Sequence, residues 1–69
     1  MGIVIRICAY GEWERIYFVQ SCNESEAKEK AYEMFKQTMS CYLPDTLELA
    51  ETNDGFFIEI VAEVEQIIL

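Results

Sequence analysis

Residues 2–20, GIVIRICAYGEWERIYFVQ, alternate apolar and polar positions with the period of a β-strand on both sides of Gly11. Ile3, Ile5 and Ile7 recur at every second position, with Val4, Arg6 and Cys8 between them. The spacing predicts two antiparallel strands joined by a two-residue type II′ turn at Gly11-Glu12, because glycine accepts the positive φ of the first central position. This register sets Tyr10 opposite Trp13, Ile7 opposite Ile16 and Ile5 opposite Phe18. One face of the hairpin is then a core of Ile3, Ile5, Ile7, Ile16 and Phe18. The other carries Val4, Arg6, Cys8, Tyr10, Trp13, Arg15, Tyr17 and Val19.

The period then changes. Ala27, Ala31, Met34, Phe35, Thr38 and Tyr42 recur at three- and four-residue intervals, the apolar stripe of a helix. Asn23 followed by Glu26 reads as a capping pair, with Ser21 and Glu24 as a rival start. Pro44 and Asp45 end the helix. Beyond them, TLELAET and GFFIEIVAEVEQ predict a second hairpin around Asn53-Asp54-Gly55. Leu47, Leu49, Phe56, Ile58, Ile60, Ala62 and Val64 face its core. Glu48, Phe57, Glu59, Val61, Glu63 and Glu65 face outward. Residues 57–68 also fit a helical stripe, but their β-branched side chains and the preceding Asp-Gly favour a strand. The order is β-β-α-β-β. It predicts an α+β fold: a two-layer sandwich of about four antiparallel strands with one helix on one face, formed by residues 1–69 as a single domain.

A chain of 69 residues buries only about 60% of its unfolded surface, so it needs an efficient core or a partner. Half of its residues are hydrophobic, enough to exclude disorder. The formal charge is −8 and is unevenly spread. Residues 37–69 hold Asp45, Glu48, Glu51, Asp54, Glu59, Glu63 and Glu65 with no lysine or arginine. Such a field repels nucleic acid and anionic membrane and attracts cationic surfaces. No stretch is long and apolar enough to span a bilayer. The apolar N-terminal run is short, broken by Arg6 and unlike a secretory leader, so a cytoplasmic location is expected.

Catalytic and metal chemistry find little to work with. There is no histidine, which removes Ser-His and Cys-His pairs. No glycine-rich phosphate loop occurs. Cys8, Cys22 and Cys41 are odd in number and widely spaced, the pattern of reduced thiols rather than of a metal site, with one disulfide plus a free thiol as the alternative. Glu48 and Glu59 are a conceivable acid–base pair, but a flat sheet face supplies no pocket for them. No enzyme activity, cofactor or metal is predicted.

One helix covers one face of a sheet, so the far face should be open. Two groups on that face become candidate binding residues. Glu48, Glu59, Glu63 and Glu65 would make an acidic flank, their like charges repeating at about 7 Å along each strand. Tyr10, Trp13, Arg15, Tyr17 and Phe57 would make an aromatic and cationic centre, of the residue types enriched at binding hot spots. Each has a plainer reading: outward glutamates as solubilising charge, Tyr10 and Trp13 as a cross-strand pair. Base stacking on these rings would need a positive groove, and only Arg6 and Arg15 supply charge. A protein partner with a basic surface is therefore predicted, with a second copy of the chain as the alternative occupant.

The β-β-α-β-β order, the short length and the acidic second half together resemble small phage-encoded inhibitors of the anti-CRISPR and DNA-mimic type. The resemblance rests on topology, length and charge across the whole chain, not on a motif. It implies a stoichiometric blocker of a host nucleic-acid-handling protein, with Glu48, Glu59, Glu63 and Glu65 meeting lysines or arginines of the target in the host cytoplasm.

Overall fold

The loop after the first strand sets the arrangement of the sheet. In the computed structural model, which describes residues 1–21, 23–39 and 43–64, strand β1 (Gly2–Ala9) is followed by strand β2 (Trp13–Gln20). Three residues connect them, not two. Tyr10 and Gly11 both take positive φ, 57° and 69°, and the Glu12 N–H donates to the Ala9 carbonyl at 3.1 Å. Tyr10 is held in this uncommon conformation from outside the hairpin, since its N–H donates to the Gly55 carbonyl at 2.6 Å.

The extra loop residue moves the pairing by one position. Ile7 lies opposite Arg15, Ile5 opposite Tyr17 and Ile3 opposite Val19. Side chains alternate with a period of two, so a slip of one turns the whole strand over. The expected core positions Ile16 and Phe18 are consequently exposed, and Val19 is buried with Trp13 and Tyr17 packed beside it.

Helix α1 (Glu24–Thr38) follows. Its N-cap is Asn23, whose side chain accepts from the Glu26 N–H. Ser21 accepts from the Asn23 N–H, so both candidate caps act in series. Ala27, Ala31 and Phe35 of the expected stripe are buried, and Tyr32 joins them. Met34 and Thr38 stay exposed, and Tyr42 lies outside the described residues. The two alanines let the helix backbone come close to the sheet.

Residues expected to form a third strand are instead a short helix, α2 (Leu47–Glu51). Leu-Glu-Leu-Ala-Glu has strong helix formers and no β-branched residue, and Thr46 caps it by accepting from the Leu49 N–H at 3.2 Å. Leu47 and Leu49, which a strand would place on one side, diverge: Leu47 packs on the core and Leu49 is exposed. Asn53-Asp54-Gly55 joins a helix to a strand rather than closing a hairpin. The Asn53 side chain accepts from the Gly55 N–H at 2.8 Å.

Strand β3 (Phe56–Val64) completes a three-stranded antiparallel sheet of order β2-β1-β3 among the described residues, one strand fewer than expected. Residues 56–64 are extended and not helical. β2 and β3 both run antiparallel to β1 and so parallel to each other. The chain must cross over β1 between them, and α1 makes that crossing. Ile3, Ile5, Ile7 and Ala9 of β1 are therefore at most 1% exposed. Each large side chain fully buried here contributes about 1.5–3 kcal/mol relative to exposure. The described part of the chain is α+β, as expected.

A bulge interrupts β3. Ile5 pairs with Ile60 but Val4 pairs with Ala62, leaving Val61 between. Phe56, Ile58 and Ile60 face the core as expected. Past the bulge the faces exchange, so Ala62 and Val64, expected inward, share the side of Val4 and Gly2.

The helices are tied down by polar contacts. The buried Tyr32 hydroxyl donates to the Pro44 carbonyl at 2.6 Å, Lys36 Nζ to the Asp45 carbonyl at 2.8 Å, and Lys28 approaches Glu51 at 3.9 Å.

Candidate functional site

The sheet face turned away from α1 presents an exposed apolar surface. The register assigns it Gly2, Val4, Arg6 and Cys8 of β1, Glu14, Ile16, Phe18 and Gln20 of β2, and Phe57, Glu59, Ala62 and Val64 of β3. Four large side chains on or beside it are solvent-facing: Ile16 (61% exposed), Phe57 (55%), Val61 (53%) and Phe18 (42%). Phe18 lies over Gly2 so closely that a Cβ there would sit 2.0 Å from the ring. A glycine is required where the aromatic ring folds flat across the strand.

An ion cluster occupies the centre of this face. Arg6 Nε donates to Glu14 Oε2 at 2.8 Å and Nη1 to Glu59 Oε1 at 2.9 Å, while Nη2 stands 2.6 Å from Glu14 Oε2. One guanidinium thus bridges both outer strands across β1, using its fixed fork of donors. The hydrogen bonds from Glu59 and then Glu14 raise the Arg6 pKa further above its already high value. The Arg6 hydrogen bond and charge hold the Glu14 carboxyl below the usual carboxylate range. Cys8 is a free thiol next to the cluster, its Sγ 3.6 Å from Glu14 Oε2. Burial raises its pKa despite the opposing pull of Arg6, so it is not an activated nucleophile.

The expected acidic flank does not assemble. Glu59 is on the open face but neutralised by Arg6. Glu48 belongs to α2, outside the sheet. Glu63, carried past the bulge, pairs with Ile3 on the α1 side and meets Glu24 in the first turn of the helix. Hydrogen bonding and repulsion from Glu24 raise the Glu63 pKa. Glu65 lies outside the described residues. The negative charge concentrates elsewhere: residues 23–55 contain eight carboxylates and three lysines, a net −5, and most of them lie on or between the helices.

The aromatic centre is likewise redistributed, because the one-residue slip turns Trp13, Arg15 and Tyr17 toward the helix side. Trp13 and Tyr17 are half-buried against the core, and the Tyr17 hydroxyl is buried without a hydrogen-bond partner among the described residues. Arg15 is exposed and donates to the Glu14 carbonyl at 2.8 Å. Tyr10 stands in the loop and joins a chain of edge-to-face rings. It lies 6.2 Å from Trp13 and 5.1 Å from Phe56, which in turn lies 6.4 Å from Tyr32. The expected Tyr10–Trp13 contact forms, but around the loop end rather than on the open face. Phe57 alone of the five occupies the open face.

Ile16 and Phe18 take the place of the missing rings. β2 carries Ile and Phe on one side and Trp, Tyr and Val on the other, so its alternation is nearly degenerate. The signal that distinguishes the two is Gly2, the one position in β1 able to accept a ring lying across it. Among the described residues, no group of three Cys, Asp or Glu side chains is arranged to hold a metal ion, and no helix is long and apolar enough to cross a membrane.

Compared with protein-family models, curated proteins and solved structures, the chain matches none of them.

Proposed function

We propose that this chain is a non-enzymatic protein-binding module that docks its open sheet face on a protein partner, acting by occupying a surface. The observation that carries this reading is the exposure of Ile16, Phe18, Phe57 and Val61 around an ion cluster that is already internally paired. An exposed apolar set of this kind marks association surfaces. The cluster sets one guanidinium against two carboxylates, a net −1, so a partner that brings one cationic group beside its apolar contacts leaves no unbalanced charge there. The net charge of −8 adds long-range attraction to a cationic protein. A stoichiometric inhibitor of a basic, nucleic-acid-handling protein, as the resemblance implies, is the form of this module favoured by the charge. The acidic residues then act on encounter, from the helices, rather than as a strip of phosphate mimics on the sheet.

The test uses the chain as bait in host extract, beside Phe57→Lys, Val61→Lys and Glu48→Lys variants. A partner retained by the wild type and lost with Phe57→Lys or Val61→Lys supports the open face. Glu48→Lys should slow association and weaken its salt dependence while leaving the complex stable at high salt. A partner indifferent to both sheet variants removes the face from consideration.

A further inference from the structure

The two outer edges of the sheet are built differently. The β3 edge is interrupted by the bulge at Val61 and carries Glu59 and Glu63, devices that discourage another strand from adding. β2 has none of them beyond its first turn. Its register against β1 is unbroken over eight residues, and it has no proline. Its last five residues, IYFVQ, are uncharged. Among the described residues β2 pairs with β1 alone, and no described strand pairs with its outer N–H and C=O groups. Beside this edge an open groove is lined by Phe18, Val19, Gln20 and, from α1, Glu29, Lys30, Glu33 and Met34.

We propose that the edge is taken by β2 of a second copy, antiparallel about a two-fold axis, joining three strands from each copy into one continuous sheet. Charge restricts where two like-charged copies can meet, and β2 is self-complementary when paired with its own copy. Two chains of −8 repel wherever carboxylates gather, and residues 23–55 alone carry −5. β2 contains Glu14 and Arg15 and sums to zero, so it is a neutral route of approach between like-charged molecules.

The pleat then fixes the register. Directly opposed residues in an antiparallel pair share a face, so residues of the open face, Glu14, Ile16, Phe18 and Gln20, must oppose one another. A two-fold through Tyr17 sets Ile16 against Phe18 of the copy, a favourable cross-strand pair, and Glu14 against Gln20, which brings no like charges together. A two-fold through Ile16 would set Glu14 against Phe18. A two-fold through Phe18 would pair only residues 16–20 of β2 and set Ile16 against Gln20, which leaves the Tyr17-centred register as the favoured one. It places the two open faces side by side as a single surface with a four-residue apolar seam. An edge of seven paired residues is only about 23 Å long. A contact this short is a small interface, and the affinity expected of it is micromolar.

The inference does not depend on the docking face, and its failure is separable. Sedimentation equilibrium of the wild type should give a monomer–dimer equilibrium with a micromolar dissociation constant. Ile16→Lys and Phe18→Lys should weaken it at least tenfold, about 1.4 kcal/mol. Phe57→Lys, on the opposite edge strand, should leave it unchanged. Circular dichroism confirms that each variant is folded, and Ile16, largely exposed, tolerates the change. A mixture of labelled and unlabelled protein should show contacts between Ile16 methyls and the Phe18 ring of the other copy. A wild type that stays monomeric to about 500 µM overturns the proposal. So does a dimer that Phe57→Lys disrupts and that lacks the Ile16–Phe18 contact, since that dimer stacks face to face.

Discussion

The pairing of β1 with β2 distinguishes two otherwise plausible sheets, and threonine substitutions at Val19 and Ile16 tell them apart. Val19 is 5% exposed and lies opposite Ile3, which is 1% exposed; Ile16 is 61% exposed on the other face. Threonine has the shape of valine and keeps the β-branch, so Val19→Thr leaves backbone preference largely alone and places a hydroxyl in the core. An unpartnered hydroxyl in such a site costs about 1–3 kcal/mol. Ile16→Thr removes apolar surface that is mostly in water already. Roughly two-fifths of a full burial term of about 2.5 kcal/mol was at stake, and threonine retains part of it, leaving a loss of about 0.5 kcal/mol. Total stability for this length is about 3–10 kcal/mol, so the Val19 change consumes a large fraction. With a urea dependence of about 1 kcal/mol/M, the midpoint should fall by about 1–3 M for Val19→Thr and by about 0.5 M for Ile16→Thr. The assay is urea unfolding followed by Trp13 fluorescence and far-ultraviolet circular dichroism, at sub-micromolar protein to exclude self-association. Equal losses, or a larger loss for Ile16→Thr, would mean that Ile16 faces the core through a two-residue turn. The three-residue loop and everything assigned to the open face would then be wrong.

Other perturbations read different parts of the structure. Tyr17→Phe removes a buried hydroxyl without a partner and should be neutral or stabilising by about 1 kcal/mol, whereas Tyr32→Phe, which strands the Pro44 carbonyl, should destabilise by about 1–2 kcal/mol in the same melts. Gly2→Ala drives a methyl into the Phe18 ring and should destabilise the wild type more than a Phe18→Ala background, where the space is free; additive losses in this cycle would deny the contact. Glu14 and Glu63 should show opposite pH dependence. The depressed Glu14 pKa contributes stability above its unfolded value that is lost as pH falls through the folded value, so Glu14→Gln should destabilise at neutral pH and converge with wild type in acid. The raised Glu63 pKa marks a repulsion present at neutral pH and relieved as pH falls through the raised value. Glu63→Gln should therefore stabilise at neutral pH, with the gain vanishing below the ordinary carboxylate range; a destabilised neutral-pH variant would contradict the Glu24 contact.

Much of the architecture is legible in local pattern. The alternation of Ile3, Ile5 and Ile7 marks a strand, and the Asn23 cap with Ala27, Ala31 and Phe35 marks a helix. The β-branched run after Gly55 marks another strand. These features depend on residues close in sequence, where period and capping chemistry act directly. The second half of the chain is ambiguous in local pattern because Leu-Glu-Leu-Ala-Glu alternates like a strand while consisting of helix formers, and a capping threonine decides for α2.

The candidate site was hidden for a different reason. Which side of β2 faces outward depends on one loop residue, and that loop conformation is held by the Tyr10 N–H reaching Gly55, 45 positions away in the chain. Which side Glu63 occupies depends on a bulge visible only once β3 lies against β1. By itself the sequence determined the elements, the apolar stripe of the helix and the overall negative charge, because each follows from composition and short-range geometry. Tertiary structure alone decided which side chains share a face, since a period-two strand presents either of its faces equally well until a neighbour fixes its register.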